Sequence, residues 1–282
     1  MGANSAIRKT VKKILSPVFS SGSYKYIQAA AKAWDIRGGA DAEPEIDLVK
    51  IGLREGETAL DIGANFGFYA YELSRAVGQS GKVYAFEPVP FTCETLVLVG
   101  RLLGFRHNVE IVNKGCSNEN GTIKFTVPIQ DSGALSTGQT YIAERDDDHQ
   151  GKEEQVRWKS TRDIEAEVVR LDDFLPEIKE LPLIKADIEG AELLAFRGAE
   201  KIIDKHLPTV ICEINLWFLE GFRIGLEELT GFFFEKGYKL YFYTAGADGK
   251  KYLRETAPGE IGEDNYVFLH PSRAERFSGL IK

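Results

Sequence analysis

Apolar positions along this chain gather into short dense runs, separated by stretches in which they recur every three or four residues. The run Thr58-Ala59-Leu60-Asp61-Ile62 reads as a buried strand that carries one acid near its end and breaks into Gly63-Ala64-Asn65. A helix follows from about Phe66 through Tyr69, Leu73 and Val77 to a stop at Gly78. The pattern repeats with a strand over 82–87, a helix over 90–103 and a strand over 109–113. It resumes with strands over 183–187 and 209–215 and helices over 189–204 and 226–236. Strands over 239–243 and 266–269 close the series, and a helix over 46–53 precedes it. These seven strands, alternating with helices, predict an α/β fold whose mostly parallel sheet is covered on both faces.

The rhythm breaks between about 116 and 175. Residues 121–127 and 168–171 read as strands, whereas 132–167 is polar, charged and without apolar period. So long an irregular stretch in a compact domain is more often functional than accidental, and it is expected to shape the substrate side. Its run Asp146-Asp147-Asp148 reads as solvated rather than metal-binding, and His149 as an exposed loop residue. Residues 20–23 and 38–44 read as connectors, which divides the chain into a segment over 1–44 and a main domain over 45–282.

Charge sharpens that division. The chain carries −8 overall, yet residues 1–37 hold seven Lys or Arg against Asp35 alone. Ile7, Val11, Ile14, Leu15 and Val18 fall on one helical face, with Arg8, Lys9, Lys12 and Lys13 on the other. Three readings stand: a helix packed on the main domain, a peripheral anchor on an anionic membrane or partner, and an organelle presequence. The acidic balance argues against nucleic acid as a partner. No apolar run has bilayer length, and no signal-peptide pattern opens the chain. Cys93, Cys116 and Cys212 are odd in number and far apart, which suits reduced thiols and a cytoplasmic setting.

The turn after the first strand lets backbone N–H groups approach a ligand closely, and the next helix offers its positive end to an anion. Twenty residues past Gly67 the second strand ends on Glu87-Pro88, where a nucleoside-binding α/β sheet carries its ribose acceptor. Gly63 and Gly67 stand four apart, unlike the Gly-x-Gly-x-x-Gly of a dinucleotide site. That spacing disfavours a nicotinamide-dependent oxidoreductase, the competing enzyme class. A non-catalytic scaffold of the same fold is the other alternative.

Three blocks in order resemble the FkbM family of S-adenosylmethionine-dependent methyltransferases: residues 59–67 (ALDIGANFG), 169–174 (VRLDDF) and 184–192 (IKADIEGAE). Phe86-Glu87-Pro88 and Asn265-Tyr266-Val267-Phe268 fit the same order, so the likeness covers about 45–269. It implies a Rossmann-like seven-stranded methyltransferase sheet with an antiparallel last strand, and O-methylation of a sugar, glycan or natural-product hydroxyl. Ala186 departs from the bulkier apolar residue usual before the Asp, a change of packing rather than of chemistry.

The resemblance places the cofactor against Asp61, Gly63, Asn65, Phe66, Gly67 and Phe68 of the first turn. Glu87 and Pro88 would meet the ribose, Asn113 and Gly115 the adenine, and Asp187 the sulfonium end. Asn65 has a plainer reading as a helix cap, and so does Asp187. An alcohol becomes a good nucleophile only as its proton leaves, so Asp187, or Glu189 beside it, is expected to act as base. Glu189 also suits the first turn of a helix on dipole grounds alone. With Glu213 and Asn215, Asp187 would form an oxygen set compatible with Mg²⁺. Asp172-Asp173-Phe174 is expected to cap the helix that follows it. Trp217 and Phe218 read as core or as a wall of the acceptor pocket.

Overall fold

The computed structural model describes residues 21–40, 43–129, 141–142, 160–246, 248–262 and 264–282. The amphipathic stretch over 7–18, Asp146-Asp147-Asp148 and His149 lie outside the described residues. The expected Rossmann-like α/β architecture is present. Its main sheet holds β1 (Thr58–Ile62), β2 (Lys82–Phe86), β3 (Val109–Val112), β8 (Leu183–Ala186), β9 (Thr209–Ile214), β10 (Lys239–Ala245), β11 (Lys251–Glu255) and β12 (Asp264–Leu269). The strand order is β11-β10-β12-β9-β8-β1-β2-β3. β12 runs antiparallel to both β9 and β10, as expected for the last strand. The eighth member, β11, hairpins onto β10 at the edge and escaped the sequence reading.

Strand alternation sends successive side chains to opposite faces. Leu60, Ile62, Ile184 and Phe268 enter one core, beneath α6 (Glu192–Arg197), α7 (Glu200–His206) and α9 (Leu226–Phe234). Ala59, Leu183, Ile211 and Val267 enter the other, beneath α2 (Ile46–Gly52), α3 (Phe68–Val77) and α4 (Pro90–Leu103). Residues 21–23, expected as a connector, open a further helix, α1 (Ser21–Gly38), whose Ala29, Ala33 and Ile36 join this second core. Tyr24 stacks on Phe91, and Lys25 pairs with Glu94, both on α4.

Between β3 and β8 the chain builds a second, four-stranded sheet, with β4 (Gly115–Cys116), β5 (Gly121–Ile129), β6 (Tyr141–Ile142) and β7 (Ser160–Val169) in the order β4-β7-β5-β6. β7 begins at Ser160, inside the stretch expected to be irregular, because it pairs along the length of β5. It stops at Val169, two residues short of the expected strand, because Leu171 begins α5 (Leu171–Phe174). Asp172 caps a different helix from the one expected. Its carboxylate accepts from Lys201 N and Ile202 N at the start of α7, 3.1 and 3.0 Å away. The helix expected over 189–204 is two. Gly198 separates α6 from α7, and a Cβ there would collide with the Ser117 carbonyl oxygen. A short helix after β9, α8 (Leu216–Gly221), is also new.

Candidate active site

The C-terminal tips of β1, β2 and β8, with the start of β4, surround a cavity that opens to solvent. Gly63 and Asn65 line it from β1, Glu87 and Pro88 from β2, Gly115 and Cys116 from β4, and Asp187, Ile188 and Glu189 from β8. Phe125 of the second sheet covers one side. In open parallel sheets this edge, where strand order reverses, is where ligands bind.

The β1–β2 end is built on backbone amides. Glu87 is 5% exposed, and its two carboxylate oxygens accept from Asn65 N at 3.0 Å and Val89 N at 2.9 Å. Burial pushes Glu87 up to about 7 against the pull of those two N–H groups. Asn65 sits in left-handed backbone, φ 46°. It does not cap α3, whose start is left-handed Gly67, and its buried Oδ1 has no hydrogen-bond partner among the described residues. Asp61 is 2% exposed and accepts from Ala70 N on α3, while its Oδ2 likewise lacks a partner among the described residues. Burial raises it to about 7 although Lys185 opposes the shift.

Gly63 adopts φ 84°, and a Cβ there would strike the Asp187 carbonyl oxygen. The β1 and β8 turns therefore touch backbone to backbone. Asp187 caps no helix. It precedes a turn in which Glu189 (φ 55°) and Gly190 (φ 97°) are both left-handed, and α6 begins only at Glu192. Glu189 thus lies outside the helix whose dipole was expected to favour it. The Glu192 carboxylate, 2% exposed, reaches back to accept from Ile188 N at 2.9 Å and Gly190 N at 3.3 Å. It closes the turn, a task the sequence reading missed.

Charged side chains define the β8–β9 end. Lys185 Nζ lies 3.6 Å from Asp187 Oδ2 and donates to Asn265 Oδ1 at 2.9 Å. Asn265 Nδ2 donates to Glu43 Oε2 at 3.0 Å, and Tyr69 OH donates to the same oxygen at 2.6 Å. Glu213 hydrogen-bonds Asp187, and burial together with the Asp187 charge pushes it up to about 9.

This donor set does not fit Mg²⁺. Asn215 Oδ1 is committed to Trp217 N and Phe218 N as the cap of α8, Glu213 hydrogen-bonds Asp187, and the Lys185 ammonium already faces Asp187. Among the described residues no group of three or more His, Cys, Asp or Glu could hold a metal ion.

A family model described as a methyltransferase FkbM domain matches residues 61–240. The chain belongs to the FkbM methyltransferase family. Methyltransferase 1 of Beauveria bassiana (strain ARSEF 2860) is 29% identical to this FkbM domain over 174 residues, which is 55% of this chain and 63% of that protein. Methyltransferase sdnD of Sordaria araneosa is 27% identical over 199 residues, 64% of this chain and 73% of its own. The solved structure of a methyltransferase FkbM from Methylobacillus flagellatus KT superposes with a TM-score of 0.46 at 17% identity, over 75% of this chain and 43% of that one.

Within the FkbM domain, Gly63, Asn65, Glu87, Pro88, Gly115, Asp187 and Glu189 meet at the cavity as a set. Other expected contacts stand behind it. Asp61 is buried at the tip of β1, and Gly67 packs so closely on α4 that a Cβ would collide with Leu96. Phe68 packs into the core under α3, and Phe66 lies under Lys32 of α1, Nζ 5.2 Å from the ring centroid. Asn113 is exposed and its Nδ2 braces the β2 turn, donating to Glu87 O at 2.8 Å and Pro88 O at 3.1 Å. Trp217 and Phe218 meet edge to face, and the Phe218 backbone packs on Gly190 behind the β8 turn.

Proposed function

We propose that this chain transfers the methyl group of S-adenosylmethionine to a hydroxyl of a small-molecule or glycan acceptor, with Asp187 receiving the proton. The observation that carries the reading is the convergence of the β1, β2, β4 and β8 tips on one cavity. Two buried oxygens without partners among the described residues, Asp61 Oδ2 and Asn65 Oδ1, suit the ammonium of an amino-acid moiety. Glu87 spends one lone pair of each oxygen on a backbone N–H, which leaves acceptor capacity for two vicinal hydroxyls. Pro88, Val89, Cys116 and Phe125 offer an apolar slot beside it for a flat base.

S-adenosylmethionine supplies a methyl carbon activated on a sulfonium. The protein's task is to hold the acceptor oxygen in line with that carbon and keep water away. Asp187, on the cavity wall and 39% exposed, can both orient a hydroxyl and take its proton. The left-handed turn braced by Glu192 fixes its position. The names of the Beauveria and Sordaria relatives support methyl transfer, and the glycine spacing disfavours the nicotinamide alternative.

Calorimetry on the purified chain tests the reading: S-adenosylhomocysteine should bind and NAD should not. Asp187→Ala should then abolish transfer of labelled methyl to any acceptor found, with binding of S-adenosylhomocysteine retained. Uptake of NAD instead would overturn it.

A further inference from the structure

Asp61, Lys185, Glu213 and Asn265 stand on β1, β8, β9 and β12, on the same face of the sheet as Ala59, Leu183, Ile211 and Val267. Asp61 pairs directly with Lys185 in the sheet register, and Glu213 with Asn265. Two polar pairs thus sit on this face just behind the cavity, the Glu213–Asn265 pair offset by two residues along the strands because Lys185 itself lies opposite Ile211. Lys185 is 1% exposed, and taking one ammonium out of water costs several kcal/mol. Such a group persists as a cation only where carboxylates surround it. Here Asp187 faces it from above, and Asn265 links it to Glu43 and Tyr69 from the side. The Tyr69 ring lies 4.9 Å from Nζ. Burial pulls Lys185 downward, yet the charges of Asp187 and Glu43 leave it raised.

Methyl transfer from a sulfonium erases a positive charge. The carbon–sulfur bond breaks with its electron pair left on sulfur, the carbon–oxygen bond forms, and the hydroxyl proton passes to a carboxylate. A pocket with excess negative charge would hold the cationic reactant more tightly than the transition state, which raises the barrier. We propose that Lys185 sets the charge at this end of the cleft, its ammonium offsetting Asp187 so that the resting site does not overbind the sulfonium. Lys185 is therefore a positioning and charge-setting residue that acts through Asp187. Glu213, pushed up to about 9, stays protonated near neutral pH and adds no second negative charge beside Asp187. The assignment rests on the methyl-donor reading above.

The test compares affinities for S-adenosylmethionine, which is cationic at sulfur, and S-adenosylhomocysteine, which is neutral there. Lys185→Met should raise affinity for the first relative to the second, on the order of tenfold for one unit charge removed at this range. Lys185→Arg, which keeps the charge, should leave the ratio near that of the wild type. Asp187→Asn should move the ratio the opposite way, and Lys185→Gln, which also removes the charge but keeps a donor for Asn265, decides the question if Lys185→Met does not fold. A purely structural lysine would weaken both ligands in step, and an unmoved ratio in the folded variants overturns the assignment. Wild-type protein that binds neither ligand overturns the methyl-donor reading itself.

Discussion

At the β1–β2 end of the cleft, Glu87 is fixed by backbone N–H groups from two neighbouring turns. At the β8–β9 end, Lys185 and Asp187 are fixed by side chains from β9, β12, α3 and the segment before α2. The first plan is rigid and cheap in side chains, and on the methyl-donor reading it would hold the part of the ligand that does not react. The second is an electrostatic circuit, suited to a step in which charge disappears and a proton moves. On the methyl-donor reading proposed above, backbone geometry would secure binding here and paired charges would tune reactivity.

The deepest cut should come where the two ends touch. Gly63→Ala would add both left-handed strain and a backbone collision, so it is expected to cost about 3 kcal/mol or more in urea unfolding. An alanine variant as stable as the wild type would show that the turns are not locked together. Glu87→Gln should weaken S-adenosylhomocysteine binding roughly tenfold to a hundredfold in calorimetry, as a charged acceptor is lost.

The same Glu87 substitution reports on pH. Burial raises Glu87 to about 7, so the folded apo protein keeps a proton that an unfolded carboxyl, with its ordinary value of 4.5, releases. Stability should therefore fall as pH rises from about 4.5 through about 7, at most about 1.4 kcal/mol per pH unit for each such group. Asp61 and Glu192, also raised to about 7 by burial, add to that slope. Glu87→Gln should flatten it, and unfolding curves measured at pH 5 and pH 8 check this.

At the charged end, Asn265→Ala would leave a buried lysine donor unmet, costing about 1–3 kcal/mol in thermal unfolding. The smallest effect is expected from Asn113→Ala. This exposed brace of the β2 turn should cost about 1 kcal/mol at most and lower S-adenosylhomocysteine affinity only a few-fold. A large loss there would mean that Asn113 meets the ligand itself.

The same contrast explains what could be read from the chain. The strand–turn–helix around Asp61 and Gly63, and the strand end at Glu87, are local patterns and were legible as such. The circuit around Lys185 joins residues up to 222 positions apart, and no spacing rule reaches that far. One signal was present: a lysine inside the apolar run Leu183-Ile184-Lys185-Ala186 must find a counter-charge if that run is a central strand. The break at Gly198 was hidden because apolar period continues across it, and the contact that enforces it comes from Ser117. α1 was hidden because its buried face is made largely of alanines, Ala29 and Ala33.

The close approach of Gly63 to the Asp187 carbonyl has a practical outcome for anyone wishing to re-engineer the donor. A larger residue at position 63 would shove the opposite turn, so neither turn can be enlarged in isolation. Redesign must proceed on both loops in a single round, as one replaces a bolt together with its nut.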